Sequence, residues 1–122
     1  MLKLGLETES LHLWLQHKRI DIFGFIEKAH EFGLDGVQIN VIKDYNLDEN
    51  WGALESNSDE HLRKIKELLN KYGMYVELDM RNLDYDRLVE VLEVANKLGA
   101  EVIRSYIPIK PLEKKENAYW RQ

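Results

Sequence analysis

The chain has no cysteine and only two prolines among its 122 residues. Without cysteine it can form neither disulfide bonds nor thiolate metal sites. The N-terminal residues contain no long uncharged apolar run, which excludes the pattern of a signal peptide or a membrane span. We therefore expect a cytoplasmic protein that has no membrane partner.

Basic residues are also in deficit, with 17 Lys and Arg against 22 Asp and Glu, so the formal net charge is −5. Nucleic acids and anionic membranes need a basic face, and we expect neither as a partner. The shares of hydrophobic residues, 44%, and charged residues, 32%, are those of an ordinary globular protein. Residues 1–122 are predicted to form a single domain that is long enough to bury a core.

One pattern recurs along the chain: a segment with the apolar spacing of a helix ends at a glycine and is followed by a short apolar strand. This pattern occurs at Gly33, Gly73 and Gly99. A glycine just past a helix can adopt the left-handed conformation that closes the last turn. A helix followed at once by an apolar strand predicts a parallel sheet that is covered by helices.

Four strands and three clear helices are predicted from residue spacing. Asp21 and Asp84 suit the N-caps of the first and third helices, and the second helix begins near Ser58. The strands cover residues 2–8, 37–41, 74–80 and 102–107, and residues 108–122 form a charged tail. The helix stripes are Ile22, Phe25, Ile26, Ala29, Phe32; Leu62, Ile65, Leu68, Leu69, Tyr72; and Leu88, Val91, Leu92, Ala95, Leu98.

Right-handed crossovers between these strands place all three helices on one side of the sheet. We therefore predict an α/β fold of parallel βα units, of the (β/α)₈ TIM-barrel type, with about four strands forming a half barrel. A flavodoxin-like sheet is the structural alternative.

The strands divide into an apolar set of residues that faces the helices and a polar set that faces the other way. In a barrel, the polar set points into the lumen near the carboxyl ends of the strands, where active sites of this fold lie. These positions can hold a hydroxyl-rich ligand such as a small sugar or polyol. The predicted substrate-binding residues are Glu7, Gln38, Asn40, Glu77, Asp79 and Arg104, with Glu9 and Tyr106 in the same polar set.

A structural role for the same charges is the alternative interpretation. An isolated buried charge is costly, so Arg104 is expected to pair with Glu77 or Glu7 whether or not a ligand binds. The sequence leaves both interpretations open and assigns no catalytic residue.

The irregular stretch at residues 42–57 partly matches a calcium-binding loop. Asp44, Asn46, Asp48 and Glu55 stand at positions 1, 3, 5 and 12 of that motif. However, Glu49 replaces the required turn glycine, and the preceding segment is predicted to be a strand. A solvated acidic loop is the preferred interpretation.

The four histidines give no metal-ligand spacing, and no metal site is predicted in this chain. His30 and His61 lie on helices and are predicted to be surface residues. His12 and His17 follow the first strand, where either one can donate a hydrogen bond to a ligand.

Three passages resemble a known family. Residues 31–39, EFGLDGVQI, together with the opening LKLGL at residues 2–6, resemble the first two units of the xylose isomerase-like TIM-barrel superfamily of sugar-phosphate isomerases and epimerases. Residues 98–104, LGAEVIR, are similar to the entry of its fourth strand. The likeness covers residues 2–107, which correspond to the amino-terminal half of such a barrel.

The resemblance implies isomerase or epimerase activity on a sugar or sugar phosphate, with divalent Mn, Mg or Co in the complete family barrel. The family takes its metal ligands mainly from later strands, so no ligand and no cofactor is carried over to this chain. Gln38 also stands where the family often has glutamate. The DNA-repair branch of the superfamily uses histidines on strands two and three, and those strands contain none here.

Two functional hypotheses follow from this resemblance. The chain is either a truncated isomerase or epimerase family member with little activity on its own, even with added Mn²⁺, Mg²⁺ or Co²⁺, or a non-catalytic half-barrel module that binds a ligand or partner. Strands one and four have exposed edges, which predict a homodimer or pairing with a missing second half barrel.

Overall fold

The computed structural model describes residues 2–42 and 50–106. Its four strands form one parallel sheet in the order β1-β2-β3-β4. The strands are β1 (Gly5–Glu7), β2 (Gly36–Asn40), β3 (Tyr75–Asn82) and β4 (Val102–Tyr106). The predicted α/β fold with parallel strands is confirmed, although β1 is shorter than the alternation of its leucines indicated.

Helices connect successive strands and begin at side-chain caps. The helices are α1 (His12–Gln16), α2 (Ile22–Glu31), α3 (Asp59–Lys71) and α4 (Tyr85–Leu98), with 3₁₀ turns at Thr8–Leu11 and Gly52–Leu54. Asp21 Oδ1 accepts a hydrogen bond from the Gly24 amide at 2.8 Å, and Asp84 caps α4 in the same way. Both predicted N-caps are therefore confirmed, and Ser58 caps α3.

The hydrophobic core lies between the helices and the apolar face of the sheet. Val37, Ile39 and Leu78 from the strands are fully buried against side chains from α2, α3 and α4. Two predicted stripe residues lie outside this core, because Phe32 is 61% exposed and Leu92 is 51% exposed. Phe32 is the C-cap of α2 and lies beyond its last buried turn.

The buried stripe of α4 differs from the predicted stripe by a rotation of the helix. Arg87, Val91, Val94, Ala95 and Leu98 are its buried residues, with Leu88 half-buried. Arg87 is a charged residue, and the apolar pattern therefore gave no reason to place it on the inner face.

A tyrosine covers the amino-terminal end of the polar face of the sheet. A Cβ atom added to Gly36 would overlap the Tyr75 ring, and one added to Gly5 would overlap the Tyr75 hydroxyl. The two glycines therefore let Tyr75 lie flat across β1 and β2.

None of the helices in residues 2–42 and 50–106 has the length and apolar character needed to cross a membrane.

Candidate functional site

The predicted site residues lie in two rows on the sheet face opposite the helices. Strand register aligns Glu7, Gln38 and Glu77 in the first row. The second row, nearer the carboxyl ends of the strands, aligns Asn40, Asp79 and Arg104. Parallel strands thus bring all six predicted residues to one face of the sheet. The two rows are two residues apart along the strands.

The partner predicted for Arg104 is wrong in one respect. Glu77 lies opposite Val102, and its Oε1 atom accepts a hydrogen bond from Gln38 Nε2 at 3.2 Å. Arg104 lies opposite Asp79, and its Nη1 atom is 3.9 Å from Asp79 Oδ2 and 3.9 Å from Glu7 Oε1. The predicted contact with Glu7 is present, whereas the one with Glu77 is replaced by Asp79, because β4 pairs with β3 two residues out of the assumed register.

Asn40 and Asp79 are fully buried, with 0% exposure. Within the described ranges, Asn40 Oδ1, Asn40 Nδ2 and Asp79 Oδ2 have no hydrogen-bond partner. Asp79 Oδ1 accepts a hydrogen bond from the backbone amide of Arg81 at 2.9 Å, and the backbone amide of Asn40 donates to Thr8 Oγ1 at 2.9 Å. Leaving a buried polar group unpaired costs about 1–3 kcal/mol, so folding alone gives no reason for these side chains.

Arg81 is a site residue that the sequence interpretation missed. Its guanidinium donates to the Glu9 carboxylate, and it lies on a bulge in β3 where the pairing with β4 shifts. Its φ angle is 61°, an uncommon conformation for a residue other than glycine. The alternation of Glu77 and Asp79 along the strand extends to position 81 and was the available signal.

Six side chains therefore form one group, which we call the polar edge cluster: Glu7, Glu9, Asn40, Asp79, Arg81 and Arg104. The pair Arg104–Glu7 joins β4 to β1, and Arg81 joins β3 to Glu9 in the 3₁₀ turn after β1. These contacts bridge strands that are not neighbours, so the side chains converge over the polar face. Among the side chains that form these ion pairs, Arg104 is the most exposed, at 45%.

The charge distribution changes the acidity of Glu7. Partial burial raises its pKa above the ordinary value, and the neighbouring Glu9 carboxylate raises it further, while Arg104 opposes both effects. A carboxyl group of raised pKa can hold a proton closer to neutral pH and exchange it with a ligand.

The cluster does not fit the divalent cation that the family resemblance implies. Glu9 bonds to Arg81, and the guanidinium of Arg104 lies near Glu7 and Asp79. A cation at this place would compete with two guanidinium groups for the same oxygens. Elsewhere in the described part of the chain, no three acidic, His or Cys side chains are grouped as metal ligands.

The four histidines are not members of the cluster. His12 Nδ1 donates to the Glu9 carbonyl at 3.0 Å, and His17 is exposed. His30 is exposed and stacks on Tyr72, as expected for a surface residue. The surface prediction is wrong for His61, which is half-buried. The 3₁₀ turn Gly52–Leu54 packs on α3 at this place, and His61 Nε2 forms a hydrogen bond with the Leu54 carbonyl at 2.7 Å.

Most of the partial calcium motif, namely Asp44, Asn46 and Asp48, lies outside the described residues. Its fourth member, Glu55, uses its Oε2 atom to accept from the Ile22 amide at 2.6 Å, at the start of α2. A cavity of about 600 Å³ adjoins this place and is lined by Leu15, Lys18, Arg19 and Gly52, among others. The amide groups of Ile22 and Gly24 at the start of α2 already donate to Glu55 and Asp21. We therefore place the candidate site at the polar edge cluster instead.

Comparison of the chain with protein-family models, curated proteins and solved structures gives no match. The resemblance to the xylose isomerase-like superfamily therefore rests on the three sequence passages alone.

Proposed function

We propose that the polar edge cluster binds a small sugar or sugar phosphate and that the protein acts on it as an isomerase or epimerase with little activity on its own. The observation that supports this most is the burial of Asn40 and Asp79 with no hydrogen-bond partner for three of their polar atoms in the described ranges. Polar atoms of this kind at the carboxyl ends of parallel strands are suited to bind a hydroxyl-rich ligand.

The sheet geometry supports a half barrel as the scaffold of this site. The strand order β1-β2-β3-β4 is that of consecutive barrel units, whereas a flavodoxin-like sheet has the order 2-1-3-4-5. Strands 1 and 4 of a flat sheet would lie about 14 Å apart. Arg104 nevertheless approaches Glu7 to 3.9 Å, which is consistent with a sheet curled toward its polar face.

The proposed chemistry is proton transfer next to a carbonyl group. Glu7 removes a proton from the carbon beside the ligand carbonyl, and the electron pair moves onto the carbonyl oxygen to form an enediolate. Arg104, next to Glu7, stabilises the negative oxygen through its guanidinium donors. In an isomerisation, Glu7 returns the proton to the former carbonyl carbon, and the neighbouring hydroxyl group passes its own proton to the negative oxygen, so that the carbonyl group moves by one carbon. In an epimerisation, a water molecule protonates the opposite face of the same carbon, and Glu7 releases its proton to the hydroxide that remains.

Two measurements on the whole chain test this proposal. Isothermal titration calorimetry with D-fructose, D-xylulose and their phosphate esters is expected to detect binding. Proton NMR in D₂O is expected to show deuterium entering the bound ketose beside its carbonyl, at a lower rate in the Glu7→Gln variant. If none of the four compounds binds, the proposal is contradicted.

A non-catalytic binding module is the second candidate. It is favoured by the charge pairing within the cluster, where Arg81 meets Glu9 and Arg104 lies near Glu7 and Asp79. Charges that are already compensated hold a site in shape without serving as acid or base. This candidate predicts calorimetric binding with no deuterium exchange into the ligand.

The proposed half barrel also predicts a partner. β1 and β4 are the two edges of the sheet, and Leu4 beside one edge is 61% exposed while Val102 on the other is 47% exposed. Open edges with apolar side chains favour pairing with a second copy or a second half barrel. Analytical ultracentrifugation is expected to show a dimer at micromolar concentration, and a monomer would contradict the homodimer.

A further inference from the structure

The unpaired atoms of Asn40 and Asp79 define what a ligand must offer at the base of the cluster. Asn40 presents one acceptor, Oδ1, and a donor group, Nδ2, and Asp79 Oδ2 presents a further acceptor. A complementary ligand therefore supplies two donors and at least one acceptor within a small space. Two adjacent hydroxyl groups meet this requirement, because each hydroxyl donates one hydrogen bond and accepts others.

A phosphate or carboxylate group does not meet it. An ionised phosphate ester offers mainly acceptor oxygens, which can pair with Asn40 Nδ2 but leave Asn40 Oδ1 and Asp79 Oδ2 without donors. It would also face the buried Asp79 carboxylate, with Glu7 close by. Like charges in a poorly hydrated place repel strongly, so the anionic end of any ligand lies elsewhere.

Arg104 lies beside the buried Asp79 carboxylate. Its side chain is 45% exposed and lies 3.9 Å from the buried Asp79 carboxylate, beyond hydrogen-bond distance. Its Nη2 atom donates to the Tyr106 hydroxyl at 2.8 Å, at the exposed end of β4. No direct hydrogen bond to Asp79 therefore holds the guanidinium over the buried pair.

Building on the function proposed above, we infer that Asn40 and Asp79 bind a vicinal diol at the unphosphorylated end of a sugar or polyol. Arg104 turns aside to admit that end, and the hydroxyl groups then complete the hydrogen bonding of both side chains.

The direct test is a titration of ¹⁵N-labelled protein, followed at the side-chain amide signal of Asn40. D-fructose, D-xylulose and xylitol are the neutral probes, and inorganic phosphate and Mg²⁺ are the charged probes. At least one neutral probe is expected to shift the Asn40 amide signal, and the charged probes are expected to leave it unchanged. A shift produced by phosphate or by Mg²⁺, or none produced by any neutral probe, overturns the inference.

An Asn40→Leu variant separates binding from folding. Leucine has the same branching at Cγ and removes the unpaired polar atoms. We therefore expect an unchanged or higher midpoint of urea unfolding together with about ten-fold or greater loss of affinity for the neutral probe. The matched control is Asn70→Leu on the exposed surface of α3, which should change neither quantity. A destabilised Asn40→Leu protein, or one that binds the probe as tightly as the wild type, contradicts the inference.

The outcomes also distinguish this inference from the proposed function. If a ketose binds and shifts amide signals only away from Asn40 and Asp79, the diol assignment fails while a sugar-binding protein remains. If no ketose or ketose phosphate binds anywhere on the protein, both fail.

Discussion

The two faces of the sheet differ in what burial achieves. Ile39 and Leu78 on the helix-covered face and their neighbours Asn40 and Asp79 on the polar face all have 0% exposure. The first pair contributes apolar side chains to the core, whereas the second pair includes polar atoms that have no hydrogen-bond partner in the described ranges. Burial on the first face stabilises the fold, and burial on the second costs stability, which is the pattern of a site kept for binding.

The largest expected effect contrasts adjacent residues of β3. Leu78→Ala removes a fully buried side chain from the core and should lower the free energy of unfolding by about 2–5 kcal/mol. Glu77→Ala removes one half-buried acceptor of Gln38 and should cost about 1 kcal/mol or less. Urea unfolding of both variants measures this, and equal losses would remove the distinction between the faces.

Arg87 tests whether a polar residue on the helix side can stabilise the fold through hydrogen bonds to backbone carbonyl groups. Its Nη2 atom donates to the carbonyl groups of Val41 and Asn50, and its guanidinium lies 4.2 Å from the Trp51 ring centre. Arg87→Met should cost about 2 kcal/mol, since it leaves the buried Val41 carbonyl without this donor. Arg63→Met on the exposed face of α3 is the control, expected to cost about 0–1 kcal/mol, and similar losses for the two would contradict the assigned role.

A double-mutant cycle tests the strand register of the cluster. Arg104→Met and Asp79→Asn should be coupled by about 1 kcal/mol, because these residues lie opposite each other on β4 and β3. Arg104→Met and Glu77→Gln should add within about 0.5 kcal/mol, since Glu77 lies opposite Val102. Urea unfolding of the three single and two double variants gives both values, and the reverse order would place Arg104 beside Glu77.

The smallest expected effect is a pH dependence that arises from Glu7. Burial and the Glu9 charge raise its pKa above the ordinary value of 4.5, so the folded protein binds this proton more tightly than the unfolded chain does. That contribution to stability is complete below the ordinary pKa and is lost as the pH rises through the raised pKa. Between about pH 4 and about pH 7, the wild type should therefore lose stability relative to Glu7→Gln in urea unfolding. A gain over the same range would show that the pKa of Glu7 is lowered instead.

Local patterns in the sequence predicted the fold class well, because each is set by neighbouring residues. The caps at Asp21 and Asp84 and the alternation along β2 and β3 are of this kind. The register of β4 is not set by neighbouring residues, because it depends on where the chain re-enters the sheet after Gly99. For this reason the sequence predicted Glu77 as the partner of Arg104, whereas the partner on β3 is Asp79.

Tertiary packing decided the other differences. The alternation of Glu77 and Asp79 extends to Arg81, but the bulge after Asp79 sets the position of Arg81, and no turn glycine marks that bulge in the sequence. The inner position of Arg87 requires the carbonyl groups of Val41 and Asn50, which belong to a distant segment of the chain. Hydrogen bonds between segments far apart in sequence leave no local pattern to recognise.

The most direct test of the two-face account compares Ile39→Ala with Asn40→Leu, which change consecutive residues of β2 on opposite faces. Urea unfolding and calorimetric titration with the tightest-binding ketose are measured for each variant under conditions where it is folded. The account predicts that Ile39→Ala lowers stability by about 2–5 kcal/mol and keeps its affinity, while Asn40→Leu keeps its stability and loses binding. Parallel losses of stability and binding in both variants would contradict it.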